Sequence, residues 1–536
     1  MPIGSDDPTR QTYDGSTTRD GASGPITAVM LTILCHPDVE RIGERAVLAK
    51  LNVGREVVLS REEPPFTPPT RPAARPLADA CVSRTPIRLA PLPGGGVRVN
   101  VVESRTSVVH RGSTVEGALD LSGEDLRRGA VLLLGGRIVL LIHRVEVFDT
   151  PENETLGLLG DSPGIHLVRR EIRTVADQDR PVLLRGETGT GKDLAARAIH
   201  QAGPRRDGPF VVVNLAAVPP TLASAELFGV ERGAFTGAVR ERQGYFNAAR
   251  GGTLFLDEIG EAPPDVQVML LRAIESGEAQ VVGAGRVHKV DVRILAATDA
   301  DLEAKVRDGS FRAPLLHRLA TLEIRMPPLR ERRDDIGRLL LGFLREELEA
   351  IGEGHRLTSR APDGRPWLSA SLVARLADGD WPGNVRQLRN VVHQIVLGSR
   401  GQDRMTVGPA VERLLHEPAS ALAASAPDRV PAAASEPLSS RRKPSEITEA
   451  ELEAALHASR WDLLAAASQL QITRASIYVL IERSKRFRTA GDLTVDEITS
   501  CHRACGGDVA RMVERLEVSE KALRRRLREL GLDPRR

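Results

Sequence analysis

Residues 186–193 read Gly186, Glu187, Thr188, Gly189, Thr190, Gly191, Lys192, Asp193, after an apolar run and before the helical pattern Leu194, Ala195, Ala198, Ile199. That strand–loop–helix setting suits a phosphate cradle. Glycines let backbone N–H groups converge on phosphate oxygens, the start of the helix adds positive potential, and Lys192 reaches the terminal phosphates. The hydroxyl residue that usually follows the lysine is Asp193 here, so one magnesium ligand is missing by chemistry alone. Further along, the apolar run from Thr253 ends in Asp257 and Glu258. Asp257 would hold magnesium directly or through water, and Glu258 would orient and deprotonate an attacking water. The two motifs together imply hydrolysis of a nucleoside triphosphate.

These groups need a sheet to carry them. Between residues 155 and 327 the β-like runs Val182–Leu184, Phe210–Val213, Thr253–Leu256, Val292–Ala296 and Leu322–Ile324 alternate with helical patterns. The alternation predicts an α/β core with helices on both faces of the sheet, and a helical segment follows over 328–405. Ahead of it, 26–150 holds short apolar runs between turn residues: Ala28–Leu34, Val53–Leu59, Ile87–Leu89, Val97–Val102, Val131–Leu134 and Ile138–Ile142. They predict a small all-β sandwich, with Pro64 to Pro76 as a loop inside it. Residues 1–25, rich in Gly, Ser, Thr and Asp, are expected to be disordered.

Residues 415–445 are dominated by Ala, Ser and Pro and read as a linker. The remainder is an ungapped repeat with an offset of 46, in which Ile447, Leu452, Leu463, Ile477 and Ile481 align with Leu493, Ile498, Val509, Leu523 and Leu527. Each copy (446–490 and 491–536) predicts two helices, a short turn, an N-cap at Thr473 or Ser519, and a final helix. The simplest reading is a tandem helix-turn-helix, making the chain a multidomain protein with an all-α end.

Composition sets wider bounds. Its 536 residues suit three to four domains, and 41% hydrophobic residues suffice for ordinary cores. A formal charge of +2 says nothing of partners, so local charge carries that argument. The four cysteines, Cys35, Cys81, Cys501 and Cys505, have no metal-ligand spacing with histidines. Cys501 and Cys505 lie one helical turn apart and read as core or near-core thiols. The longest apolar run is too short to cross a bilayer, and no secretion signal is apparent. A cytoplasmic protein without membrane contact is expected.

Between the phosphate loop and the acid pair stand Gly233, Ala234, Phe235, Thr236, Gly237 and Ala238. A Phe-Thr tip flanked by glycines is a poor core segment and a good surface loop. From 158 to 396 the chain resembles the bacterial sigma-54-dependent activators, AAA+ enhancer-binding proteins that touch sigma-54 RNA polymerase with this hexapeptide. These proteins also carry an acidic residue at the place of Asp193.

The resemblance implies ATP and magnesium as cofactors, and a self-assembled ring, a hexamer, acting on the polymerase. It also implies Arg312 and Arg318 as arginine fingers presented to a neighbouring subunit, Arg386 of Trp381–Asn390 as sensor II, and Asn214 as the residue that pairs with the catalytic glutamate. Thr298 and Asp299 occupy the sensor I place, where an asparagine is usual.

The front domain weakly resembles a forkhead-associated phosphothreonine-binding domain, with Arg55, Ser83 and Arg84 as phosphate ligands, although Pro86 stands where that family has a histidine. The alternative is a sandwich that only packs on the ATPase. The C-terminal pair resembles the Fis-type helix-turn-helix that ends most sigma-54 activators, where one copy is usual. The turn glycine of such motifs is Gln471 or Glu517 here, which costs little if the backbone is right-handed.

Between Lys521 and Arg536 there are seven basic and two acidic residues, a setting for contact with upstream promoter DNA. Arg474 and Ser476 in the first copy and Lys521, Arg524, Arg525 and Arg528 in the second are the expected contacts. Two rivals stay open: an AAA+ machine that does not act on sigma-54, and a non-enzymatic DNA-binding repressor. The hexapeptide weighs against the first, and the intact ATPase residues weigh against the second.

Overall fold

The computed structural model describes residues 27–69, 73–146, 154–230, 243–281, 287–359 and 366–416. Toward the C-terminus it describes 447–459, 461, 463–470, 472, 477, 480–481, 484, 493–530 and 532. The hexapeptide 233–238, Gln471, Thr473, Arg474 and Ser476 lie outside these residues, as do 1–25 and most of the linker. Two units separate by their contacts, 1–425 and 426–536.

The front of the first unit is a pair of antiparallel sheets. One holds six strands in the order Arg45–Val47, Thr27–Cys35, Ile138–Glu146, Ala130–Leu134, Val108–His110, Ser113–Thr114. The other holds Val57–Leu59, Ile87–Leu92, Gly96–Asn100 and Ala118–Leu121. Their facing sides bury Leu31, Ile33, Leu59, Leu89, Val99, Leu132, Leu140 and Ile142 in one core. Val53 was expected to open a strand but follows the short helix Ala49–Asn52 and is exposed, and pairing begins at Val57.

The strand Ile138–Glu146 is apolar on both faces because both are covered. Ile138, Leu140 and Ile142 enter the sandwich core. Val139 and Leu141, with Val131, Leu133 and Leu34, join a second core built by lid residues Leu339, Phe343, Val373 and Leu376. Arg45 bonds Asp334 at 2.9 Å across this seam. At its exposed rim Arg345 pairs with Glu40.

The central sheet is parallel throughout, in the order Phe210–Asn214, Thr253–Asp257, Arg293–Thr298, Val182–Arg185, Leu322–Arg325. Alternate residues serve opposite faces. Leu183, Leu254, Leu256 and Ala296 pack under helices Pro220–Phe228, Pro264–Ser276 and Ala313–Leu319. Val182, Leu184, Phe255 and Leu295 pack under helices Pro163–Ala176 and Lys192–Ala202. The first four strands in chain order end at Arg185, Asn214, Asp257 and Thr298, so parallel register brings the chemical residues to one edge.

In the second unit, helices Glu449–Ala458 and Val495–Ala504 are related by the repeat offset, each opened by the same capping box, Thr448 with Glu451 and Thr494 with Glu497. Helices Leu463–Gln469, Val509–Leu516 and Glu520–Glu529 follow. Both copies contribute to a single core, in which Leu456, Trp461 and Ile477 lie with Ile498, Met512 and Leu523. Cys501 is buried there, with its Sγ 3.9 Å from that of Cys505. Among the described residues no helix is long and apolar enough to cross a membrane.

Candidate active site

The phosphate loop joins the strand Val182–Arg185 to the helix Lys192–Ala202. Gly191 caps that helix in the left-handed region, with φ at 102°, a conformation that favours glycine. Gly189 has a second constraint. A Cβ there would lie 2.4 Å from the Gly383 carbonyl of the lid, so only glycine lets lid and loop approach this closely. Lys192 is buried, and its Nζ donates to the carbonyls of Gly186 (2.7 Å) and Glu187 (3.4 Å). Thr190 is buried with its hydroxyl on the Glu187 carbonyl, whereas Asp193 is exposed in the first helical turn, where a carboxylate suits the helix dipole.

The lid holds the loop from outside. Arg330 makes a two-pronged contact with the Glu187 carboxylate, at 2.8 and 2.6 Å. Its guanidinium is the main reason that the Glu187 pKa lies below the ordinary value. Asn384 Nδ2 donates to the Glu187 carboxylate and to the Thr188 carbonyl, both at 3.1 Å, while its Oδ1 accepts from Leu329 N–H at 2.8 Å. Arg332 donates to the Thr190 carbonyl at 3.0 Å, and the backbone N–H of Arg386 to the Gly189 carbonyl at 3.3 Å. The Arg386 side chain is exposed beside the loop.

Opposite lies an acidic group. Asn214 donates to Asp257 at 3.3 Å, and its expected partner, Glu258, is the next residue. The reason is register. Asn214 and Asp257 are partners on adjacent parallel strands, and the chain then turns at Glu258, whose φ is 54°. Thr188 Oγ1 donates to Asp299 at 2.7 Å. Burial raises the Glu258 pKa above the ordinary carboxylate value, and so do the charges of Asp299 and Asp257 and a hydrogen bond with Asp299, while Lys192 opposes them. Thr298, which is buried, uses its hydroxyl to accept from Ala300 N–H.

The donor set suits a triphosphate: a buried lysine, a glycine-lined loop at a helix start, and exposed arginine beside it. Among the described residues no three His, Cys, Asp or Glu side chains gather as a metal cage. Asp257, at the end of the strand Thr253–Asp257, is the carboxylate that suits magnesium, which uses one or two carboxylates and completes its shell with phosphate oxygens and water.

Other expected residues stand apart from this cluster. Arg312 and Arg318 are exposed at the start and in the last turn of the helix Ala313–Leu319, with Arg318 paired to Glu275 at 2.9 Å. Neither bonds to the loop of its own chain. In the sandwich, Arg55 is exposed, Arg84 lies 3.6 Å from Glu62, and the Ser83 hydroxyl accepts from Thr85 N–H. No hydrogen bond or ion pair joins Arg55 to Ser83 or Arg84.

In the C-terminal unit Arg524 pairs with Glu520, and Arg528 is exposed. The side chains of Lys521 and Arg525 lie outside the described residues. Glu517 has φ at 54°. The condition under which losing the turn glycine costs little, a right-handed backbone, is therefore not met at Glu517.

Sequence reasoning missed Arg330, Arg332 and Asn384 as partners of the loop. One local signal was present. An asparagine after Trp-Pro-Gly suits a left-handed residue at a helix start, and Asn384 has φ at 52°.

Comparison with known proteins agrees with this geometry. Residues 158–325 match the Sigma-54 interaction domain, and residues 330–409 match an AAA+ ATPase lid domain. The nitric oxide reductase transcription regulator NorR1 of Cupriavidus necator is 48% identical over 249 residues, 46% of each chain. The DNA-binding transcriptional regulator NtrC of Escherichia coli K12 is 46% identical over 249 residues, 46% of this chain and 51% of that one. The chain thus spans about half the length of the curated relatives it matches. A crystal structure of NtrX from Brucella abortus in complex with ATP gives a loose likeness, with a TM-score of 0.43 at 29% identity over 70% of this chain and 69% of that one. The centre of the chain is therefore an AAA+ ATPase core of the sigma-54 interaction class followed by its lid.

Proposed function

We propose that the protein is an ATP-driven transcription activator that binds upstream promoter DNA and remodels sigma-54 RNA polymerase into the open complex. The observation that carries this reading is the hexapeptide 233–238, set within the sigma-54 interaction domain between a phosphate loop and its acid pair.

Lys192 leaves the loop carbonyls for the terminal phosphates, and the loop amides take the remaining oxygens. Glu258 accepts the proton of the attacking water. Asp257, steadied by Asn214, would hold magnesium, which would offset the charge on the phosphate oxygens. Arg312 and Arg318 face outward, so they serve a neighbouring subunit of a ring, a hexamer, while Arg386 and Thr298–Asp299 sense the nucleotide. The Phe235–Thr236 tip must differ between nucleotide states, because equal affinity in both shifts nothing.

The two-sheet front domain supports a forkhead-associated-like reading with Arg55, Ser83 and Arg84 toward a phosphothreonine protein. The doubled capped helices support tandem helix-turn-helix units, with Arg474, Ser476, Lys521, Arg524, Arg525 and Arg528 toward DNA.

The test is open-complex formation by the purified full chain with sigma-54 polymerase on a promoter carrying its upstream site. Wild type should open it with ATP, and Thr236→Ala should hydrolyse ATP but leave it closed. Hydrolysis by the wild type without any opening would sink the activator reading and leave the ATPase intact.

A further inference from the structure

The hairpin turn Gly135–Arg137 of the front sandwich and the start of the lid helix Ala370–Asp378 line an open cavity of about 420 Å³. It serves none of the functions above. Its volume is that of a small-molecule site rather than a packing defect.

The lining is one-sided in its chemistry. Arg137 and Arg404 are its charged residues, Ser369 and Ser371 bring hydroxyls, and no carboxylate lines it among the described residues. Ser369 caps the nine-residue helix, accepting from Leu372 N–H at 3.4 Å, and its hydroxyl lies 2.9 Å from that of Ser371. A helix start favours an anion. A second, independent observation points the same way. Trp367 lines the cavity and is only 3% exposed, yet its indole N–H has no hydrogen-bond partner among the described residues. The Nε–H of the part-exposed Arg137 is also buried without one among these residues, although an Nη of the same guanidinium lies 3.9 Å from Asp79. Buried donors are nearly always satisfied, so the Trp367 N–H on the lid side and the Arg137 Nε–H on the sandwich side call for an acceptor. Apolar surface from Trp367 and Met405 completes the lining.

We propose that this cavity binds a small organic phosphate, with its phosphate on Arg137, the Trp367 N–H and the helix start, and its apolar body against Trp367 and Met405. Such a ligand would touch the sandwich and the lid at once. An arginine binds phosphate through paired donors, and loss of a charge-assisted bond sets the scale of the expected effects.

Phenyl phosphate is a suitable probe, titrated into the full chain carrying Lys192→Ala and Arg55→Ala so that the other phosphate sites are silent. Tryptophan emission and calorimetry report binding, and amide exchange over 135–137 and 366–372 locates it. Saturable binding with slowed exchange at those segments is expected. Arg137→Met should weaken it by roughly tenfold or more, and Trp367→Phe, which keeps a ring but removes the donor, by roughly severalfold. Inorganic phosphate should bind more weakly, and equal affinity would overturn the organic class. Absence of saturable binding, or affinity unchanged in both variants, would overturn the site and leave water as the acceptor. If Arg137→Met does not fold, Trp367→Phe decides alone.

Discussion

Toward the phosphate loop the lid offers Arg330, Arg332 and Asn384, whereas toward the front sandwich it offers Leu339, Phe343, Val373 and Leu376. The first seam is made of directional bonds to a loop that must admit a nucleotide. Such bonds can be exchanged for others of similar strength, because each group can find a new partner. The second seam is a close-packed interior, and interiors repack in discrete steps rather than deform smoothly. One face of the lid is built to be remade and the other to be kept.

The contrast can be broken from either side, and the largest effect should come from the kept face. Leu141 is 1% exposed on the lid side of the sheet, and Leu141→Ala should lower stability by about 3–5 kcal/mol through lost transfer energy and a cavity. Amide exchange should rise in the sandwich and the lid together. Exchange that rises in the sandwich alone would separate the two bodies and undo the comparison.

Next is the exchangeable face. Asn384 is fully buried, and Asn384→Ala strands the Leu329 N–H and Thr188 carbonyl in a left-handed position that suits asparagine. A loss of about 2–4 kcal/mol follows from the unsatisfied groups and the backbone preference. Denaturant unfolding measures it, with weaker ATP binding expected beside it. A variant as stable as wild type would mean that the loop does not depend on this clamp.

The smallest effect at neutral pH is electrostatic. His143 bonds Thr32 at 2.9 Å within the kept seam, and burial, then Arg45, pulls its pKa from 6.5 to about 3. The unfolded imidazole takes a proton below 6.5 and the folded one does not. The contribution is therefore complete above pH 6.5 and is lost as pH falls toward about 3. His143→Asn should flatten the fall in melting temperature between neutral and acid pH while changing little at neutral pH. Parallel profiles for the two proteins would show that His143 is not the titrating group.

Much of this was legible in the chain. The five central strands follow from short apolar runs bounded by turn residues, and their ends follow from the loop and acid motifs that stop them. The N-cap at Ser519 follows from local composition. The strands Arg45–Val47, Val108–His110 and Ala118–Leu121 did not, because each is short and has few buried positions. The clamp residues were hidden by distance, since Arg330 and Asn384 meet Glu187 across 143 and 197 residues.

One signal was present and unread. Ile138 to Ile142 has no polar position, and an antiparallel strand with one face in water would alternate. Its uniformity already required a cover on the outer face, and the lid is that cover.

That cover has a practical corollary for dissection by truncation. Removing residues 27–146 would do more than delete a domain. It would unroof Leu339, Phe343, Val373 and Leu376 and leave a contiguous greasy face on the lid, the kind of surface that drives self-association. A shortened chain that aggregates or loses activity would thus report a flayed lid rather than a missing signal.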